Sequence, residues 1–104
     1  MILTNQYIKQ VVADYFKDKP VHQVYLFGSY ARGDADENSD IDLMVDLDYS
    51  KNIGWQFFGW QNELTAIVHK KVDVIANARE PIHTNNWNFI QRVKQQAKVI
   101  YEKR

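Results

Sequence analysis

The chain has 104 residues, thirteen of them basic and thirteen acidic, for a formal net charge of zero. That length suits one domain around one core, and the neutral balance offers no global field to a nucleic acid or a membrane surface. Cysteine is absent, which excludes disulfides and thiolate metal sites. No secretory leader core or membrane-length apolar run is present, so the expectation is a single cytoplasmic domain over residues 1–104, with no membrane contact and no direct nucleic-acid binding.

Helical spacing of Ile8, Val11, Val12, Tyr15 and Phe16, after Thr4 or Asn5 as cap, predicts an amphipathic helix closed by Lys19-Pro20. Tyr7, Tyr15 and Tyr25 fall mostly in core periods. Residues 22–27, HQVYLF, read as a strand ending at Gly28. Ser29 stands where a helix cap would stand, before a short turn through Tyr30, Ala31 and Arg32 that ends at Gly33. A polar loop, DADENS, then leads into a second strand from Asp40 to about Asp46, expected to pair antiparallel with the first.

Residues 53–68 fit a second helix, with Ile53, Phe57, Trp60, Leu64, Ile67 and Val68 on one face; Gly54 and Gly59 weaken its first half. VDVIA, residues 72–76, reads as a short strand in which Asp73 is the sole charge. Glu80-Pro81 opens a last helix, about 83–97, with Ile90, Val93 and Ala97 inward, and KVIYE at 98–102 is read as a small edge strand. The order of elements predicts an α+β domain with a small mixed sheet and helices packed mainly on one face.

Acidic charge is concentrated where the second strand begins: seven carboxylates and no Lys or Arg lie between Asp34 and Asp48. In that strand Ile41, Leu43, Val45 and Leu47 form one stripe and Asp40 and Asp42 share the other face, about 7 Å apart at Cα. Asp46 shares that face but lies about 13 Å further on. Alone, such a D-x-D is more often a solvated strand face. Beside Gly28-Ser29 it reads as a metal-triphosphate site. Carboxylate oxygens suit Mg²⁺, glycine admits a phosphate close to the backbone, and a serine hydroxyl and a helical turn face the anion. Arg32 could contact a phosphate or simply form a surface ion pair. Asp73, on a strand able to lie beside Asp40, is the candidate third ligand. In-line displacement at phosphorus with two bound ions is the chemistry such parts perform.

Gly28-Ser29, ten intervening residues and Asp40-Ile41-Asp42 match the G-S-x10-D-x-D signature of the polymerase-β-like nucleotidyltransferases. Within that superfamily FGSYARGDADENSDIDLMV resembles the minimal nucleotidyltransferases, antitoxin partners of HEPN-domain toxins. The resemblance implies a minimal nucleotidyltransferase palm in which Asp40, Asp42 and Asp73 bind Mg²⁺ and are catalytic. It also implies that Gly28 and Ser29 hold nucleotide phosphate, with Arg32 and Ser39 at flanking positions of that nucleotide site. ATP would be the substrate and a tyrosine hydroxyl of the toxin the acceptor of AMP. The other readings are an antitoxin that acts by occlusion alone and a free-standing enzyme for a small-molecule hydroxyl, a function that a chain without a second pocket-forming domain suits less well.

His22, His69 and His83 lack metal-ligand spacing and read as surface or structural residues. The basic C-terminal stretch reads as a solvated face. Trp55 and Phe58 project opposite the predicted core stripe of the second helix. Either a glycine breaks the helix and turns both rings inward, which is the favoured expectation, or the pair stays exposed as an interface for the toxin.

Overall fold

The computed structural model describes residues 2–76 and 97–103. The first helix, α1 (Asn5–Phe16), begins at Thr4, whose Oγ1 accepts from the Tyr7 N–H at 3.1 Å. Its buried residues are Ile8, Val12 and Phe16, the spacing of one apolar stripe. Strand β1 (Val21–Phe27) follows, then a single helical turn, α2 (Gly28–Arg32), closed by Gly33 in the left-handed region. Strand β2 (Ile41–Leu47) returns antiparallel to β1, in a register that sets Phe27 opposite Asp42 and Val21 opposite Leu47.

A 3-10 turn, Gly54–Gln56, precedes helix α3 (Phe57–Val68), which leads into strand β3 (Val72–Ala76), parallel to β2. Strand β4 (Lys98–Glu102) pairs antiparallel with β1 on its other side, so the sheet order is β3-β2-β1-β4. The sheet is mixed, as expected, and KVIYE is the edge strand read from the sequence.

One face of the sheet carries the core. Val24, Leu26, Ile41, Leu43, Val45, Val72 and Val74 meet Ile8, Val12 and Phe16 of α1 and Trp60, Leu64 and Val68 of α3. Trp60 is the largest of these buried side chains and stands edge-on to both Phe16 and Phe57, with ring centroids 5.5 and 5.4 Å away. Each large side chain buried in this way contributes about 1.5–3 kcal/mol relative to exposure. Tyr15 Oη donates to Glu63 Oε1 at 2.8 Å, tying α1 to α3 outside the core. Helix α3 also closes the free edge of β3: the Val72 N–H donates to Thr65 Oγ1 at 3.0 Å and the Val74 N–H to Gln61 Oε1 at 2.9 Å. Unpaired strand-edge amides are satisfied there without another strand.

Four expectations change. Ser29 is not a cap; Phe27, in extended conformation and with no side-chain bond, precedes a helix that begins at Gly28. Regular helix begins at Phe57 instead of Ile53, because Gly54 sits at φ +56°, a conformation foreign to an α-helix. Ile67 is 46 % exposed and Tyr7 42 %, outside the core their spacing suggested, while the rings of Trp55 and Phe58 are not turned inward at all: they are 86 % and 68 % exposed. The body of the predicted helix at 83–97, with Ile90 and Val93, and His83 lie outside the described residues; Ala97 directly precedes β4 and is not helical.

Candidate active site

Period-two alternation puts the aliphatic residues of β2 into the core and leaves Asp42 half-buried on the opposite face. The parallel register sets Asp42 directly beside Asp73, on neighbouring strands about 5 Å apart. Asp40 immediately precedes β2, where the Ile41 N–H donates to the Lys71 carbonyl at 3.0 Å. On the other side of Asp42, the chain leaves β1 through Gly28. That residue has φ +74°, and a Cβ there would overlap Asp42 Oδ2. Glycine is therefore required twice at this position, by backbone conformation and by the approach of the carboxylate.

Three carboxylates, two on adjacent strands and one just ahead of β2, thus gather at one end of the sheet, beside the Gly28-Ser29 turn. Burial raises the Asp42 pKa from its ordinary value, and the Asp73 and Asp40 carboxylates raise it further. Arg32 and Lys71 partly offset the rise. Among the described residues, no three carboxylate or imidazole groups converge closely enough to hold a metal ion as they stand. The donor set still fits a hard divalent cation: all ligands are oxygens, and Asp42 is penalised in its charged form by the two carboxylates that would share such an ion.

Sequence reasoning missed Lys71. Its Nζ lies 3.9 Å from Asp40 Oδ2 and 4.0 Å from Asp73 Oδ1, so the ammonium bridges two of the three carboxylates. Its place two residues before Asp73 puts it on the same strand face, but only the pairing of β2 with β3 shows which carboxylates flank it. Arg32 pairs with Asp34 at 3.3 Å, one of the two readings open for it, while still acting electrostatically on Asp42. Ser29 makes no hydrogen bond with its hydroxyl among the described residues. The Ser39 hydroxyl accepts from the Asp36 N–H at 2.8 Å and donates to Asp36 Oδ1 at 3.2 Å, closing the loop that delivers Asp40. His22 pairs with Asp48 at 3.5 Å and His69 caps α3 in the left-handed region; neither approaches the carboxylate cluster as a ligand.

An open groove of about 760 Å³ lies between the start of α1, residues 37–40 and the turn from α3 to β3. Leu3, Tyr7 and Val68 line it together with Asp40 and Lys71, whereas Gly28, Ser29, Asp42 and Asp73 do not. It adjoins the carboxylates without enclosing them. Trp55 and Phe58, with ring centroids 5.8 Å apart, lie elsewhere. They follow the far end of β2, and Leu47 is about 16 Å along the strand from Asp42.

The model of the polymerase-beta nucleotidyltransferase family matches residues 8–104. A relative from Methanocaldococcus jannaschii, provisionally named a protein adenylyltransferase, is 33 % identical over 86 residues, covering 78 % of this chain and 79 % of its own. The protein adenylyltransferase MntA of Thermococcus cleftensis is 34 % identical over 55 residues, 53 % of this chain and 54 % of the relative. Among solved structures, a toxin-antitoxin crystal structure with AMP-PNP superposes with a TM-score of 0.64 at 22 % identity, covering 98 % of this chain and 76 % of the other. The structure of a Sulfolobus solfataricus protein provisionally named a nucleotidyltransferase gives 0.56 at 24 % identity, with 95 % of this chain and 80 % of the other covered. The structural likenesses speak for the fold, and the family match spans the Gly-Ser turn, the aspartate pair and Asp73. The chain belongs to the polymerase-beta nucleotidyltransferase family.

Proposed function

We propose that this chain is a Mg²⁺-dependent adenylyltransferase that moves AMP from ATP to a tyrosine hydroxyl of a partner HEPN-family toxin, acting as its antitoxin. The observation that carries the reading is the register that sets Asp42 beside Asp73, with Gly28 packed against Asp42 on the other side. Asp40, Asp42 and Asp73 would hold Mg²⁺, two ions on the resemblance, which when bound supply charge neutralisation for the triphosphate and for the displaced pyrophosphate. Gly28 leaves the backbone open to a phosphate, Ser29 offers its hydroxyl, and Arg32 adds positive charge at the same edge. Ser39 holds the loop that orients Asp40 and is placed near the nucleotide by resemblance alone.

A protein acceptor is supported by the names of the relatives, and a toxin partner by the toxin-antitoxin assembly with AMP-PNP that shares the fold. Trp55 and Phe58 are the surface proposed to dock that partner, and their exposure supports the assignment. Because they sit at the end of the sheet remote from Asp42, docking and transfer occupy separate places, and the acceptor tyrosine must reach around the domain. A cytoplasmic setting is part of the same proposal; among the described residues no helix is long and apolar enough to cross a membrane. The test uses ATP labelled at either the α- or the γ-phosphate, with Mg²⁺ and the partner protein. Label entering the partner from the α-position alone is the expected result. Label from the γ-position indicates phosphorylation and refutes the reading.

A further inference from the structure

The carboxylates of the site are gathered yet not converged, and the side chain between two of them is a cation. Lys71 Nζ is 3.9 Å from Asp40 and 4.0 Å from Asp73, while no three acidic groups among the described residues close to metal-holding distance. We infer that Lys71 is the resident cation of the metal-free site: it occupies the place between Asp40 and Asp73 that a divalent ion takes, and it must swing out before that ion binds. The inference rests on the reading of these carboxylates as a divalent-cation site.

The physical case has three parts. Like charges on adjacent strands repel, and the parallel register holds Asp42 directly beside Asp73, with Asp40 two residues before Asp42. An ammonium within 4 Å of two carboxylates offsets part of that repulsion without a metal. Both distances exceed those of a tight hydrogen-bonded pair, and the Lys71 side chain is 66 % exposed, so each contact is weak and the flexible stem can leave without disturbing the core. A tightly held arginine would lock the site. A loosely held lysine keeps the strand ends together and yields to a doubly charged competitor.

Neighbouring Lys70 provides the control. Its Nζ donates to the Glu37 carbonyl at 2.8 Å and pairs with none of the three aspartates. It carries the same charge one residue away, so a purely long-range field effect would act through both lysines.

The experiment is a calorimetric titration of Mn²⁺, as a probe for Mg²⁺, into wild type, Lys71→Met and Lys70→Met, without nucleotide and at fixed ionic strength. Lys71→Met should bind Mn²⁺ about three- to tenfold more tightly than wild type, as expected on loss of two weak contacts. Lys70→Met should stay within about twofold of wild type, and Lys71→Arg, which retains the charge and holds the carboxylates more firmly, should bind Mn²⁺ no more tightly than wild type. Unchanged or weaker binding by Lys71→Met overturns the inference. So does equal tightening by both methionine variants, which indicates field alone. A wild-type protein without any Mn²⁺ affinity overturns the cation-site reading itself, and the inference with it, whereas the first two outcomes leave that reading standing.

Discussion

Gly28 shows how closely backbone and chemistry are joined at this site. Its left-handed backbone disfavours any side chain by about 1–2 kcal/mol, and a methyl group there would also displace the Asp42 carboxylate. Gly28→Ala is expected to lower the melting temperature by about 5–15 °C, measured by scanning fluorimetry. Gly33→Ala, at φ +85° with nothing within 4 Å, should lose less, since only the backbone contribution applies. Asp42 gives the opposite sign. Its pKa is higher folded than unfolded, so its ionisation disfavours the folded state fully above the folded pKa and not at all below the unfolded one. Asp42→Asn should therefore raise the metal-free melting temperature by about 1–4 °C at neutral pH, and the gain should vanish as the pH falls through the carboxylate range. The aspartates were legible in the sequence because a strand alternates its faces and because Gly28-Ser29 stands at fixed spacing from them. Lys71 was not, since a lone lysine at a strand entrance looks like any surface charge until pairing shows which carboxylates flank it. Ser29 was misread because a capping serine and a serine inside the first turn are written identically.

At the level of elements, the two long helices and the strand carrying Asp42 follow from apolar periodicity, and β1 from its β-forming residues before Gly28. The polar residues of α3 do not announce their role. Thr65 and Gln61 lie off the apolar stripe of α3, and they satisfy the Val72 and Val74 amides on the free edge of the strand that carries Asp73. Thr65→Val keeps the shape and removes the acceptor, so it should cost about 1 kcal/mol in chemical denaturation and leave an edge amide to water. A variant as stable as wild type would show that the Thr65 contact does not hold β3. The start of α3 was legible only in part. Where a helix begins decides which way every ring on it points, and that depends on the left-handed Gly54, a conformation that composition does not dictate.

For the molecule as a whole, the two ends of the sheet carry different surfaces. The end where β1 meets β2 at Phe27 and Asp42 holds the carboxylates; the end beyond Leu47 carries the exposed pair Trp55 and Phe58. Trp55→Ala with Phe58→Ala should weaken partner binding at least about tenfold in a pull-down or calorimetric titration, as loss of two aromatic anchors does, with nucleotide binding unchanged. Unaltered partner affinity in a folded double variant would remove this patch from the interface. Transfer of AMP by the aspartate cluster to a protein hydroxyl is read from the intact mass of the partner after incubation with ATP and Mg²⁺. Addition of one or more whole AMP units to the partner is expected with the wild-type chain and none with Asp42→Asn or Asp73→Asn. An unmodified partner with wild type, or equal modification by either variant, would contradict it.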